Sequence, residues 1–183
     1  MRTAQDRVID QILVMRCQEG SGRAFELLVR RWQRRLWRYA AKLTGESAAA
    51  WDVTQEAWLV MLKGIRRLDD PALFATWAYR IVRNKCADHW RRRGRRQKLT
   101  ETLAERQAAD SPQRDQEQPQ RVAEAIRRLS ADKQELLALR YREDLSIGEI
   151  ARVLGVPGGT VKSRLYHARE ELKRFLESEG VQP

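Results

Sequence analysis

Apolar residues along the chain recur at intervals of three and four, the spacing of amphipathic helices. Phe25, Leu28, Val29, Trp32, Leu36 and Leu43 trace one face of a long helix, and Gly45 supplies its C-terminal stop. A second helix is predicted from about Ala48 to Lys63, with Val53, Ala57, Val60 and Met61 inward. A third opens with Asp70 as N-cap and Pro71 at the first helical position, and its inner stripe is Leu73, Phe74, Trp77, Ala78 and Ile81. Further on, Leu129-Ser130 opens a helix carrying Leu136, Leu137 and Leu139. Ser146 and Glu149 then stand at capping-box spacing, with Ile150, Ala151 and Leu154 inward and Gly155 as terminator. Val156-Pro157-Gly158 turns the chain, and Gly159-Thr160 starts a last helix that points Val161, Leu165 and Ala168 inward. Helix, short Gly-containing turn and helix is the pattern of a helix-turn-helix. No repeat, Gly-rich tract or sustained apolar/polar alternation stands against this, so the fold class is all-α.

Two cores are implied. All six Trp (Trp32, Trp37, Trp51, Trp58, Trp77, Trp90) precede residue 91, whereas the last third relies on Leu, Ile and Val. Between them the segment 104–120 (AERQAADSPQRDQEQPQ) has no apolar side chain larger than Ala, and cannot offset its own ordering entropy by burial. The expected organisation is two small helical domains, 1–97 and 121–179, joined by a flexible linker, 98–120, with the helix-turn-helix in the second domain.

The polar faces carry the chemistry. Lys and Arg number 36 against 25 Asp and Glu, a formal charge of +11 over 183 residues that favours a polyanionic partner, nucleic acid before acidic membrane. Arg30, Arg31, Arg34, Arg35 and Arg38 line the outer side of the first long helix. On the second helix Asp52, Gln55, Glu56 and Leu59 share the face opposite the core, and an outward Leu within an acidic patch marks a partner contact. The third helix turns Thr76, Arg80, Arg83, Asn84 and Arg91 outward and runs into Arg91, Arg92, Arg93, Arg95 and Arg96. The last helix leaves Thr160, Lys162, Ser163, Arg164, Tyr166, His167 and Arg169 outward. Guanidinium and ammonium groups suit phosphate or guanine, hydroxyls suit either, and an aromatic ring suits a thymine methyl.

Other classes of function are disfavoured. Cys17 and Cys86 are too few for a disulfide framework and are expected to be reduced and at least partly buried. Cys86 and His89 have ligand-like spacing, but a structural zinc needs four ligands and these are two. No metal or other cofactor and no catalytic residue is therefore expected. With no run of 18 apolar residues and no apolar stretch after Met1, the expectation is a cytoplasmic protein without membrane insertion. A homodimeric repressor using the same helix-turn-helix would leave the Asp52/Gln55/Glu56 face and the Arg80/Arg83/Asn84 stripe without use.

Taken with their order, these segments resemble a known family, the extracytoplasmic-function sigma factors of the bacterial sigma-70 family. The stretches 129–137 (LSADKQELL), 144–151 (DLSIGEIA) and 154–172 (LGVPGGTVKSRLYHAREEL) are similar to region 4 of that family. The segment 52–56 (DVTQE) is similar to the acidic motif of region 2.2, and 74–84 (FATWAYRIVRN) with Asp88, Arg91 and Arg92 to regions 2.3 and 2.4. The resemblance implies that Asp52, Gln55, Glu56 and Leu59 meet the β′ coiled coil of RNA polymerase core. It implies that Arg80, Arg83, Asn84, Arg91 and Arg92 take the opened −10 element. Thr160, Lys162, Ser163, Arg164, Tyr166, His167 and Arg169 would read the −35 duplex, with the apolar side of region 4 on the β flap. The implied partners are core polymerase, promoter DNA and an anti-sigma factor. Three features depart from the family pattern: the loop 66–71 (RRLDDP) is acidic and proline-bearing where several relatives carry an aromatic and a basic residue, Trp51 precedes Asp52 where an acidic residue is common, and His167 stands where Arg is frequent. Trp77 shares the stripe of Phe74 and Ile81 and is assigned to the core rather than to base stacking.

Overall fold

A computed structural model describes residues 3–99 and 117–178, and every regular element among them is helical. The chain divides into two compact units. The first contains α1 (Ala4–Gln18), α2 (Gly22–Thr44), α3 (Ser47–Gly64) and α4 (Phe74–Leu99). The second contains α5 (Glu117–Arg128), α6 (Ala131–Leu137), α7 (Ile147–Leu154) and α8 (Gly158–Ser178). Residues 98–99 and 117–120 of the expected linker are thus helical, and its remainder, with the flexibility expected there, lies outside the described residues.

Helix α1 has no counterpart in the periodicity reading, although its start is written locally. Thr3 caps it, its hydroxyl accepting from the Asp6 N–H at 3.0 Å while the Asp6 carboxylate accepts from the Thr3 N–H at 3.0 Å. The helix is then held by charge at one end and by amide bonds at the other. Arg31 of α2 reaches Asp6 and the buried Asp10, both at 3.0 Å, and Gln18 donates to the carbonyls of Ile65 and Leu68 at 3.2 and 2.7 Å. Arg31, expected on an outer face, is therefore a clamp between helices. Helix α2 begins at the Ser21 cap and ends at Gly45, whose φ of +73° is the left-handed conformation glycine adopts without a Cβ penalty.

An aromatic cluster fills the centre of this unit. Trp32 meets Phe74 edge-on at 5.2 Å and Tyr79 at 6.0 Å, and Tyr79 meets Tyr39 at 5.1 Å. Leu28, Leu36, Val53, Met61 and Val14 close around it, all at or below 1% exposure. Two expectations fail here. Val60 is exposed at 39%, because α3 buries Ala50, Val53, Thr54, Ala57, Trp58 and Met61, a face on which Val60 has no place. The inner stripe of α4 is Phe74, Ala75, Ala78, Tyr79, Val82 and Cys86, about one residue further round than the sequence stripe. Leu73, Trp77 and Ile81 are consequently half-buried, and Thr76, expected outward, is buried. Asp70 does cap the turn Pro71–Leu73, accepting from the Ala72 N–H at 2.8 Å, and α4 follows that turn. Cys17 and Cys86 are both buried free thiols, and burial pushes the Cys17 thiol up.

In the second unit, α6 runs into a π-helical turn, Ala138–Arg142. Arg140 of that turn donates to the Leu145 carbonyl at 2.9 Å, and the Leu145 N–H to the Leu139 carbonyl at 3.1 Å, so Leu139 and Leu145 are both drawn into the core. The chain passes through Asp144 at φ +57° and enters α7 through the expected capping box. There the Glu149 N–H donates to the Ser146 hydroxyl at 3.2 Å and the Ser146 N–H to the Glu149 carboxylate at 2.7 Å. Gly155 ends α7 at φ +69°. Ile150 and Val153 are its buried pair, with Ala151 and Leu154 half-buried beside them. On α8, Val161, Leu165 and Ala168 are buried as the spacing requires.

Candidate polymerase and nucleic-acid interfaces

Three surfaces carry the candidate residues. The first is the outer face of α3. Burying one side of this helix leaves Asp52, Gln55 and Leu59 exposed, Leu59 at 59%, with Trp51, Val60 and Leu62 exposed alongside. Large apolar side chains this open, among carboxylate and amide groups, suit a protein partner that covers them. The exposure of Leu62 and Val60 was not legible in advance, since Val60 was counted inward. Glu56 sits at the edge of this face and is half-buried. Lys85 donates to it at 3.1 Å and Arg92 at 3.1 Å, both from α4. Partial burial works to raise its carboxyl, but the hydrogen bonds and charges of Lys85 and Arg92 outweigh that and hold it below the ordinary glutamate range.

The second surface is α4. Arg80, Asn84, Arg91 and Arg92 are exposed and Arg83 is half-buried. The C-terminal half of the helix is laced with ion pairs: Arg91 to Asp88, Arg92 to Glu56, and Arg93 to Glu46. Arg93 also lies over the Trp90 ring at 5.5 Å, while the Trp90 indole N–H donates to the Leu43 carbonyl at 3.0 Å. Glu56, Lys85, Asp88, Arg91, Arg92 and Arg95 line an open groove between α3 and α4. The half-buried Trp77 packs against Phe74, ring centroids 6.1 Å apart, and against Gly64, where an added Cβ would come within 3.0 Å of the indole. Trp77 therefore flanks the core at half burial and is not part of the inner stripe. His89 is half-buried, and its Nε2 is buried with no hydrogen-bond partner. No group of three or more His, Cys, Asp or Glu positioned for a metal occurs among the described residues.

The third surface is α8 of the helix-turn-helix. Lys162, Ser163, Arg164, Tyr166, His167 and Arg169 are all exposed, Tyr166 at 61%, and Thr160 is half-buried at the first turn. The cause is the 3-4 spacing of Val161, Leu165 and Ala168, which commits one side of the helix to the core and the other to solvent. Arg169 is not a free arm, for its guanidinium stacks over Tyr141 of the π turn at 5.5 Å. That contact escaped the sequence reading because it joins residues on separate helices. No helix among the described residues is long and apolar enough to cross a membrane.

Comparison with known proteins places these surfaces in context. Residues 28–96 match the family described as Sigma-70 region 2, and residues 120–172 match Sigma-70, region 4. The chain is 34% identical to RNA polymerase sigma-H factor of Pseudomonas aeruginosa, over 92% of this chain and 94% of that protein. It is 30% identical to ECF RNA polymerase sigma-E factor of Escherichia coli, over 91% and 94%. Among solved structures, it is similar to the sigma factor RpoE of Bartonella quintana in complex with the anti-sigma factor NepR. The TM-score is 0.68 at 25% identity, over 84% of this chain and 96% of that one. It is also similar to CnrH in complex with the cytosolic domain of CnrY, with a TM-score of 0.65 at 27% identity over 93% and 98%.

Proposed function

The chain belongs to the extracytoplasmic-function sigma factors of the sigma-70 family, and from that premise we propose that it docks on core RNA polymerase through α3 and reads promoter DNA through α4 and α8. In this reading Asp52, Gln55, Glu56 and Leu59 contact the β′ coiled coil, and the apolar side of the second unit contacts the β flap. Arg80, Arg83, Asn84, Arg91 and Arg92 receive the opened −10 strand. A single strand asks for a cation-lined track more than for base-edge readout, and α4 offers Arg80 and Arg83 within one turn and Arg91 and Arg92 about two turns further on. Thr160, Lys162, Ser163, Arg164, Tyr166, His167 and Arg169 meet the −35 duplex in the major groove, the placement usual for the second helix of such a motif. Region 2 corresponds to 1–97 and region 4 to 121–179, with 98–120 between.

One observation supports the division of labour most directly. The exposed cationic side of α8 belongs to a different compact unit from the acidic, apolar face of α3, so one chain carries separate surfaces for a protein and for a duplex. An anti-sigma factor is a further proposed partner, since two similar solved structures, CnrH with CnrY and RpoE with NepR, are complexes, and NepR is named an anti-sigma factor. Run-off transcription with purified bacterial core polymerase is the test. Promoter-specific transcripts that require this protein are expected. No stimulation of any promoter, together with a footprint on a palindrome by the protein alone, would instead favour a repressor.

A further inference from the structure

The groove between α3 and α4 holds an oxyanion already. Glu56 carries both donors on one carboxylate: Lys85 Nζ reaches Oε2 at 3.1 Å, and Arg92 Nη2 reaches Oε1 at 3.1 Å and Oε2 at 3.3 Å. A phosphodiester presents the same chemistry, a delocalised negative charge with several acceptor oxygens. The groove also lies on the path of the DNA-facing arginines. From Arg80 to Arg92 the helix advances about 18 Å at 1.5 Å per residue, and Lys85, Arg92 two turns on and Arg95 one turn beyond fall beside the Arg80/Asn84/Arg91 line, with Asp88 on the turn between Lys85 and Arg92. Glu56 itself comes from the other helix, the one whose outer face bears Asp52, Gln55 and Leu59.

We propose that the Lys85–Arg92 groove is a backbone-phosphate site for single-stranded DNA, and that Glu56 is its internal occupant, surrendered when the polymerase takes the α3 face. The proposal rests on the assignment of Glu56 to the core-polymerase surface. Half-exposed ion pairs are individually weak, so a docking partner displaces this one readily. In the free chain, however, the carboxylate competes from within the same molecule, where its effective concentration exceeds that of any dissolved strand. Core binding and strand capture are thereby linked through one side chain, and the linkage is reciprocal: whatever removes Glu56 from the groove favours the strand, and the strand favours release of Glu56.

The test is binding of a fluorescein-labelled single strand of mixed sequence, about 20 nucleotides long, to the free full-length protein by anisotropy. Glu56→Gln keeps the shape and removes the competing charge. It should bind about three- to tenfold tighter than wild type at about 50 mM salt, with a salt slope steeper by about 0.7–1.4, the increment of one or two added phosphate contacts. Glu19→Gln, which removes an equal charge at the end of α1, should stay within about twofold, separating local unmasking from net charge. In a Lys85→Gln, Arg92→Gln background the gain from Glu56→Gln should disappear. Glu56→Gln binding no tighter than Glu19→Gln, or a gain that survives loss of Lys85 and Arg92, overturns the proposal. Run-off transcription by the wild-type protein separates this from the reading beneath it. Promoter-specific initiation alongside an inert Glu56→Gln variant removes the masking alone. No initiation on any promoter removes the polymerase assignment and the release step with it.

Discussion

Leu165 and Arg164 are neighbours on α8 that should fail in opposite ways. Leu165 is 3% exposed in the core of the second unit, with Val161 and Ala168 on the same buried side. Truncating it to Ala removes three buried carbons and leaves a space the short helices around it only partly refill, a change costing about 2–5 kcal/mol. A unit of roughly 60 residues has about 3–9 kcal/mol to lose at 0.05–0.15 kcal/mol per residue, so Leu165→Ala removes about a fifth or more of its stability. A loss near 3 kcal/mol lowers the melting temperature by about 12–24 °C in a domain of this size. Arg164→Ala, changing an exposed side chain, should move stability by less than about 0.5 kcal/mol while removing a candidate base or phosphate contact. The two units can be watched separately, because every Trp lies in the first. Far-UV circular dichroism should show an early transition in Leu165→Ala while the Trp emission transition stays where it is in wild type. If Leu165→Ala melted as wild type does, or if the Trp transition moved with it, the assignment of Leu165 to a core belonging to the second unit would be wrong.

Other outcomes follow from the same surfaces. Asp52→Lys combined with Leu59→Ser should reduce co-purification with core polymerase about tenfold or more while leaving stability within about 0.5 kcal/mol; wild-type recovery would remove the α3 assignment. On a template already open over the −10 element, Arg164→Ala and Lys162→Ala should initiate normally although they no longer respond to −35 changes, whereas Arg80→Ala with Arg83→Ala should fail on it; equal failure of both pairs would contradict the division between helices. The Asp6 carboxyl is lowered from 3.8 to about 2 by the Thr3 backbone N–H, then the Thr3 hydroxyl and Arg31. Because the folded value lies below the unfolded one, its contribution is complete above the unfolded value and is lost as pH falls toward about 2. The stability gap between wild type and Asp6→Asn, read by Trp emission in urea, should therefore close on acidification through that window, and a gap constant down to pH 2 would speak against the Asp6 contacts with Thr3 and Arg31.

Much of this was written in the chain because the determinants are local. Glycine stops at Gly45 and Gly155, the Ser146/Glu149 box and the 161/165/168 spacing each act within one or two turns of helix, and each appears where expected. The inner stripe of α4 was misjudged because Trp77 and Ile81 are as apolar as Tyr79 and Val82, and only the neighbours decide which pair faces in. Trp32 and Tyr39 select Tyr79. Helix α1 escaped notice because its outward side carries Val8, Ile12 and Met15, which blur the contrast on which periodicity depends, although Thr3 and Asp6 spell its cap. The partners of Glu56 were invisible for a different reason. Lys85 and Arg92 lie 29 and 36 residues away, and nothing short of the packing of α3 on α4 joins them.

The π turn at Ala138–Arg142 has the character of a phase adjuster. It spends more residues per turn than an α-helix, so the chain leaves it rotated relative to where an uninterrupted helix would point. Leu139 and Leu145, on either side of its exit, both reach the core from that rotated position. Straightening the turn to ordinary α geometry at its present length would swing the following chain by about 100°, one step of a 3.6-residue turn. Leu145, and the helix pair that follows it, would then meet the core from the wrong side. The width of this turn is therefore equivalent to the aim of α8, and substitutions that tightened it to α geometry would redirect that helix without altering a single residue on its exposed face.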